Sequence, residues 1–145
     1  MNRLYILMTV MVVMVGALFA AHEALAEVLT STALNDTLLG TDGEDHLKGR
    51  GGDDYLKGRG GNDYLNGGGG EDTIEGGSGN DEIIPGEGDD VVFAGAGNDL
   101  IYARDTDSFD YIDCGGGFDK VETIHRDDRT KSNCERALGP RQGDI

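Results

Sequence analysis

Aspartates that recur every nine residues are the side chains of this chain whose type and spacing most favour chemistry. They are Asp36, Asp45, Asp54, Asp63, Asp72, Asp81, Asp90 and Asp99. An aliphatic residue stands two positions after each one: Leu38, Leu47, Leu56, Leu65, Ile74, Ile83, Val92 and Ile101. From the second unit onward a glycine stands two positions before: Gly43, Gly52, Gly61, Gly70, Gly79, Gly88 and Gly97. The residue directly before each aspartate is always Asn, Asp or Glu, so three positions in register indicate a true internal repeat.

The elements that must position these aspartates follow from the composition of one unit. In Gly60-Gly61-Asn62-Asp63-Tyr64-Leu65-Asn66 the glycines permit a tight turn, and the last three residues alternate outward, inward and outward as in a strand. Two units then form one coil of 18 residues, and the strands of successive coils pair in parallel. The sequence therefore predicts an all-β fold, a parallel β-roll (β-solenoid) of nine-residue repeats.

Stacked coils bring carboxylates together in pairs at roughly 5 Å, the spacing between neighbouring strands. The expected pairs on one side are Asp36/Asp54, Asp54/Asp72 and Asp72/Asp90, and on the other side Asp45/Asp63, Asp63/Asp81 and Asp81/Asp99. Such carboxylates repel unless a cation lies near them. The predicted core of ten inward side chains, with Ile112 and Val121 included, is too thin to fold so glycine-rich a chain unaided.

Oxygen ligands in flexible turns favour Ca²⁺ over Mg²⁺, and no cysteine or histidine lies in register to favour a softer metal. The eight aspartates are the predicted side-chain ligands. The seven glycines named with them are predicted to shape turns whose backbone carbonyls complete the shell. One ion for each stacked pair gives several calcium ions, up to about six.

The units resemble the RTX, or haemolysin-type, nonapeptide Gly-Gly-x-Gly-x-Asp-x-U-x, in which U is a large aliphatic residue. Residues Gly76–Ile84 and Gly67–Glu75 match it at every fixed position, and the resemblance covers about Leu34–Tyr102. Arg50 and Arg59 replace the second glycine, and Pro85 and Ala94 the first. The resemblance implies a β-roll with calcium in its turns, held by sixth-position aspartates and carbonyls of two stacked units. Within this family, the chain resembles the small stand-alone bacterial proteins.

The N-terminal residues have the layout of a secretory signal. Arg3 is followed by the apolar run Leu4–Ala21 and by Ala24-Leu25-Ala26, an A-x-A cleavage site. We expect residues 1–26 to be removed and the protein to be secreted, with the periplasm or cell surface as alternatives. Retention of the segment as a membrane anchor is the other interpretation, since 18 apolar residues approach spanning length.

The rest of the chain divides by its repeat spacing. Residues 27–33 are a short lead, residues 34–103 the repeat roll, residues 104–122 an irregular last coil, and residues 123–145 a C-terminal cap. In the irregular coil the next aspartates are Asp110, eleven residues after Asp99, and Asp119, nine residues later. Both are further candidate metal ligands.

Cysteines and outward apolar residues indicate how the C-terminal end is closed. Cys114 and Cys134 are the only cysteines, and in an exported chain they are expected to form a disulfide. Val91/Phe93 and Leu100/Tyr102 are apolar at positions that are polar in earlier units. We expect the disulfide-tied tail to cover them. The alternative is a binding surface for another protein.

Charge and motif content exclude several functions. Glu27–Asp119 carries 22 acidic and 5 basic residues, a net charge of −17, which disfavours nucleic acid and anionic membranes as partners. No catalytic or nucleotide-binding motif is complete, so an enzyme is not expected. We predict a protein that folds on Ca²⁺ and serves as a binding or surface module, with a polysaccharide or a surface protein as candidate partner. A structural or adhesive cell-surface element, or an accessory module of a secreted enzyme, is the alternative.

Overall fold

The nine-residue period reverses the chain after every strand, and the result is two facing parallel sheets. The computed structural model describes residues 28–104, 108–123 and 129–138. The strands are β1 Val28–Thr30, β2 Thr37–Leu39, β3 His46–Lys48, β4 Tyr55–Gly60, β5 Tyr64–Gly69, β6 Thr73–Ser78, β7 Glu82–Glu87, β8 Val91–Ala96, β9 Leu100–Ala103, β10 Tyr111–Asp113, β11 Lys120–Thr123, β12 Arg129–Thr130 and β13 Glu135–Leu138. Odd-numbered strands form one sheet, in the order β1-β3-β5-β7-β9-β11-β13, and even-numbered strands the other, in the order β12-β10-β8-β6-β4-β2.

The register confirms a coil of two units. Leu56 in β4 lies beside Ile74 in β6, and Leu65 in β5 lies beside Ile83 in β7, a step of 18 residues in each sheet. From β8 to β10 and from β9 to β11 the step is 20 residues, so the irregular coil holds two extra residues. The all-β parallel roll predicted from the sequence is confirmed. Residues 1–27, which include the predicted signal sequence, and residues 105–107 lie outside the described chain.

The core is a single file of aliphatic side chains between the two sheets. All ten predicted inward residues, from Leu38 to Val121, are buried. Ala94, Ala103 and Cys114 are buried with them, and they occupy the first position of their units. Strands β4 to β8 have six residues each, twice the predicted length, because the chain stays extended through the start of the next unit. That extension turns a second residue per unit inward, which sequence reasoning missed.

The ends of the roll continue the same winding. The segment predicted as a lead contributes β1, which pairs with β3. The tail contributes β12 and β13, which pair with β10 and β11. A disulfide joins Cys114 and Cys134, whose Cα atoms are 5.4 Å apart. No helix is found in the described ranges, and so none that is long and apolar enough to cross a membrane.

The two described strands of the tail do not cover the outward apolar residues, contrary to the expectation for this segment. The tail strands extend both sheets beyond β10 and β11, so they lie past the end of the roll and not over its face. Phe93 remains 41% exposed and packs edge-on against Tyr111, with ring centroids 6.2 Å apart. The expectation rested on the disulfide that ties the tail back to the roll. Its ability to add further strands was not visible from its sequence, which has lost the repeat.

We predict that reducing the disulfide loosens the C-terminal coil first. Closing a loop of about 20 residues is worth on the order of 3 kcal/mol in the chain-entropy model. Hydrogen exchange in saturating calcium should therefore rise in β10 to β13 after reduction, whereas Asp45–Asp81 stays protected. A Cys114→Ser/Cys134→Ser double variant is the control, because reductant should not change it further. Equal exchange in β10 to β13 before and after reduction would show that the disulfide does not hold this end.

Candidate metal centre

The repeated aspartates stand in two columns, one along each edge of the roll. Each turn from the odd-numbered to the even-numbered sheet carries a member of column 1: Asp36, Asp54, Asp72, Asp90 and Asp110. Each turn back carries a member of column 2: Asp45, Asp63, Asp81, Asp99 and Asp119. The stacked pairs are those that the 18-residue coil predicts, and Asp110 and Asp119 extend both columns across the irregular coil.

Hydrogen bonds fix one oxygen of each carboxylate within its column. Except for Asp110 and Asp119, which end the columns, the backbone N–H of each aspartate donates to Oδ1 of the next aspartate along, over 2.7–3.1 Å. The aspartate carbonyls accept from the first strand residue of the next coil, as Asp45 does from Tyr64 at 2.8 Å. Stacked carboxylates are therefore separated by a peptide N–H donor, and Oδ1 is a structural acceptor.

In six of the turns that follow the first of each column, the second oxygen, Oδ2, receives no hydrogen bond from the described residues. This holds for Asp54, Asp63, Asp72, Asp81, Asp99 and Asp119, whose Oδ2 atoms are buried. These residues are only 1–3% exposed. A buried carboxylate oxygen without a donor is costly, and each such group in a folded protein calls for an explanation.

The surroundings of Oδ2 supply more acceptors and no donor. A Cβ placed on Gly49 would lie 2.3 Å from Asp54 Oδ2 and 2.4 Å from the carbonyl oxygen of Gly67 in the next coil. The same pair of acceptors, a carboxylate oxygen and a carbonyl oxygen one coil on, meets at Gly58 and at Gly67. In these three turns the glycine at the first position leaves room for this close approach. Oxygens with only lone pairs to offer fit a hard cation such as Ca²⁺.

The remaining ligands of such a cation must be backbone carbonyls. Among the described residues no group of three or more His, Cys, Asp or Glu side chains is placed to hold a metal. Calcium accepts six to eight oxygen ligands, carbonyls and waters included, so one or two carboxylates in a glycine-rich turn are enough. The donor set thus fits calcium, and the assignment of individual ligands stays a prediction.

Left-handed backbone shapes the inner turns. Gly52, Gly61, Gly70, Gly79, Gly88 and Gly97, six of the seven predicted turn glycines, have φ between 98° and 145°. The second position of the turn is also left-handed, at Gly68 and Gly77 and equally at Arg50 (φ 73°) and Arg59 (φ 83°). Non-glycine residues adopt this conformation at a cost of about 1–3 kcal/mol. The two arginines therefore keep the turn geometry at some expense of stability.

The first turn of each column is built differently, and sequence reasoning missed this. Thr32 donates its N–H to Asp36 Oδ2 at 3.0 Å and its hydroxyl at 2.7 Å. Thr41 donates its N–H to Asp45 Oδ2 at 2.6 Å, and its hydroxyl lies 3.1 Å from the same oxygen. Gly43, the seventh predicted turn glycine, is not left-handed. The sequence signal was a threonine four residues before the aspartate, where the units of Asp54 to Asp99 have Arg or Gly.

A second, outer row of hydrogen bonds explains why Asn or Asp precedes most of the aspartates. Asn62 Oδ1 accepts the N–H of Asn80, and Asn80 Oδ1 accepts the N–H of Asn98, at 2.8 and 2.7 Å. On the other edge Asp53 Oδ1 accepts the N–H of Glu71 at 3.0 Å. These side chains tie successive turns together on the solvent side. Because these outer side chains serve as acceptors between coils, the buried aspartates remain the candidate metal ligands.

Burial changes the acidity of the inner carboxyls. Desolvation raises the pKa of Asp63, Asp72, Asp81 and Asp99 to about 6, although the N–H bond from the preceding aspartate opposes the shift. At the start of column 1 the direction is reversed, since the hydrogen bonds from Thr32 lower the pKa of Asp36. In the inner turns, burial therefore disfavours a charged carboxylate that has no cation beside it. In the first turn of column 1, the hydrogen bonds from Thr32 stabilise the charged carboxylate of Asp36 without a cation.

Comparison with known protein families identifies the repeat family to which the chain belongs. The sequence pattern of the RTX calcium-binding nonapeptide repeat matches the chain four times, over residues 30–65, 50–83, 58–92 and 84–121. The chain belongs to the RTX calcium-binding repeat family. It is thus a Ca²⁺-binding repeat protein, and the resemblance noted from its motif is confirmed. No curated protein and no solved structure matches this RTX chain.

We predict that inner aspartates of the RTX roll matter more than the first one. Asp63→Ala or Asp72→Ala removes an acceptor of a charge-assisted hydrogen bond, worth about 1.5–3 kcal/mol, together with a candidate ligand. Either change should raise the calcium midpoint of folding by about tenfold or more, and Asp36→Ala by clearly less. Circular dichroism during calcium titration measures this, with the exposed Asp42→Ala as control. Equal shifts for Asp36, Asp63 and Asp72 would contradict a stack with distinct inner turns.

A second prediction concerns pH. Because the folded pKa near 6 lies above the ordinary 3.8, the folded chain without metal holds these protons more tightly than the unfolded chain. That contribution to stability is complete below about 3.8 and is lost as the pH rises through about 6. The chelated chain should therefore gain structure on acidification toward pH 4.5.

Calcium binding should weaken over the same range, because protons compete for the carboxylates. We expect the calcium midpoint to rise steeply between pH 6.5 and 5, with little change between 8 and 7. Calcium titrations at fixed ionic strength across this range test both statements. A midpoint that is flat down to pH 5 would show that the buried carboxyls do not hold the cation.

Proposed function

We propose that this RTX chain is an exported protein that folds when Ca²⁺ binds and then presents a rigid β-roll as a binding or surface module. The observation that carries the proposal is the buried Oδ2 atom of the inner aspartates, which faces a carbonyl oxygen of the next coil and no donor. A cation at that point satisfies both oxygens. The ions would be held by the inner aspartates and by backbone carbonyls of two successive coils.

The balance of forces supports folding that depends on calcium. One aliphatic side chain per unit gives little apolar burial, and the glycines increase the entropy that folding must overcome. Raised carboxyl pKa values add a cost at neutral pH. Because the site forms only when coils stack, the free energy of calcium binding becomes free energy of folding. Affinity near about 10⁻⁴–10⁻³ M, typical of extracellular modules, would leave the chain unfolded until export.

Two further features support an extracellular location. The disulfide Cys114–Cys134 is of the kind that persists in oxidising compartments. The N-terminal residues have the layout of a cleavable secretory signal. We therefore propose secretion through that signal, with the periplasm or cell surface as alternatives.

The outward faces of the two sheets are where a polysaccharide or a surface protein would bind. Tyr64 lies on the odd-numbered sheet, with its ring centroid 5.6 Å from that of His46 and 5.8 Å from Lys48 Nζ. Tyr55 lies on the even-numbered sheet and donates its hydroxyl to Glu75 at 2.7 Å. Because the two tyrosines face opposite ways, they do not form one aromatic platform. This favours a module with small separate contacts over a catalytic cleft, and we propose no enzymatic activity.

A glycan array probed with the calcium-loaded protein separates the two kinds of role. Binding to a defined sugar that chelator abolishes would support a binding module. Absence of any hit, together with calcium-dependent retention on the producing cells, would instead favour a structural or adhesive surface element. Tyr64→Ala and Tyr55→Ala, one on each sheet, would then show which face makes the contact.

We predict that the mature chain is largely unfolded in chelator and becomes rich in β-structure when calcium is added. Far-ultraviolet circular dichroism measures the transition, and it should reverse when chelator is returned. Magnesium at the same concentration should do much less, because it requires a nearly ideal octahedral shell and loses water reluctantly. A full β spectrum that persists in chelator at neutral pH would overturn the proposed function.

A further inference from the structure

We propose that the first turn of each aspartate column is closed by threonine and binds no calcium, so that the N-terminal coil is a metal-free cap on the calcium-binding roll. The inference rests on the proposed function, since it concerns which turns take the ions. The turns are Thr32–Asp36 in column 1 and Thr41–Asp45 in column 2. Calcium sites then begin one coil later, at Asp54 and Asp63.

The contrast between Asp45 and Asp63 is the closest comparison within one column. At Gly40 a Cβ would lie 2.6 Å from Asp45 Oδ2 and 2.6 Å from the carbonyl oxygen of Gly58. At Gly58 the corresponding distances, to Asp63 Oδ2 and the carbonyl oxygen of Gly76, are 2.2 and 2.5 Å. Both turns thus bring the same two acceptors together. What differs is the donor.

Thr41 supplies donors that the inner turns lack. Its N–H reaches Asp45 Oδ2 at 2.6 Å, and its hydroxyl lies within 3.2 Å of both carboxylate oxygens. Asp63 Oδ2 is buried and has no donor. Hydrogen bonds to a charged carboxylate are among the strong ones. The lone pairs that a cation would need are therefore already engaged at Asp45.

Column 1 begins in the same way. Thr32 donates both its N–H and its hydroxyl to Asp36 Oδ2, at 3.0 and 2.7 Å. One coil later Asp54 Oδ2 has no donor, and Arg50 stands where Thr32 stood. Two independent columns thus change from threonine donors to none at the same step along the roll.

The backbone of the first turns has changed along with the donor. Thr32 and Thr41 are not left-handed, whereas Arg50 and Arg59 at the same position of the following turns have φ of 73° and 83°. Gly43 donates its N–H to the hydroxyl of Thr41 at 3.1 Å, and its φ is likewise outside the left-handed region. The first turns therefore differ from the following ones in backbone conformation as well as in their donors.

A metal-free first coil has a physical use in a stacked protein. Each repeat of a solenoid is stabilised mainly by its neighbours, and a terminal repeat has only one, so terminal repeats commonly differ from the rest. A cation in a terminal turn would be the most exposed and the easiest to lose. Hydrogen bonds from Thr32 and Thr41 close this end without depending on calcium concentration.

Calcium stoichiometry tests the proposal on the oxidised mature chain. Equilibrium dialysis with metal analysis at saturating calcium is applied to wild type, Asp45→Asn and Asp63→Asn, and to the matched pair Asp36→Asn and Asp54→Asn. We expect Asp45→Asn and Asp36→Asn to bind as many ions as wild type, because amide oxygens still accept from threonine. Asp63→Asn and Asp54→Asn should each lose at least one ion. If the first-turn variants lose as many ions as the inner ones, the proposal is overturned.

A second variant keeps the test decisive if an inner variant does not fold. Thr41→Gly restores a Gly-Gly-Asp-Gly-Glu-Asp turn that matches the repeat, and it should bind one more ion than wild type. An equal or smaller count for a folded Thr41→Gly chain would overturn the proposal. If wild type itself binds no calcium, both the proposed function and the proposal of a metal-free N-terminal coil are rejected. A wild type that binds calcium while Asp45→Asn loses an ion contradicts the cap alone.

Discussion

In the turns of Asp54, Asp63, Asp72 and Asp81, the Oδ2 atom of the aspartate is buried next to a peptide carbonyl oxygen and has no hydrogen-bond donor among the described residues. This constraint governs the rest of the structure. Oδ1 of the same carboxylate is held by the N–H of the preceding aspartate, so the side chain cannot swing out to solvent without breaking the column. A cation satisfies the buried oxygen while leaving the column intact. The proposed dependence of folding on calcium would follow from this same constraint.

The other features of the repeat follow from keeping that oxygen in place. Glycine at the first position of a unit such as Gly58 lets the carboxylate approach the backbone, and left-handed residues at the second and fourth positions bend the turn around it. The aliphatic residue two positions later fills a core only one side chain thick. Where Asn or Asp precedes the aspartate, its side chain ties the outer side of the turn to the next coil. Each end is closed by groups other than a metal, threonine donors at the start and the Cys114–Cys134 disulfide at the finish.

Much of this was predictable because the period is strict. A step of nine residues fixes the 18-residue coil, the parallel pairing and the columns of aspartates, and it identifies the inward aliphatic residue two positions after each aspartate. Asp110 and Asp119 could be placed in the columns because the nine-residue step resumes between them. The oxygen-only ligands favoured calcium as the cation, and the family resemblance independently implied the same ion.

The parts that could not be predicted depend on geometry that a period does not contain. Ala94 and Cys114 also face inward, because the chain remains extended beyond the inward aliphatic residue. A predicted strand of only three residues does not reveal this second inward position. The tail residues Arg129 and Glu135 begin strands because β10 and β11 offer open edges, although the tail has no repeat of its own. The difference between Asp45 and Asp63 lies in a threonine four residues earlier, and its meaning depends on which carboxylate oxygen its hydroxyl reaches.

Anomalous X-ray diffraction from crystals grown with calcium tests the central claim most directly. The account predicts an anomalous peak about 2.3–2.6 Å from Oδ2 of inner aspartates such as Asp63 and Asp72, with carbonyl oxygens of two successive coils completing the shell. Electron density that shows Oδ2 of these residues bonded only to water or to protein donors, with no cation beside it, would contradict the account.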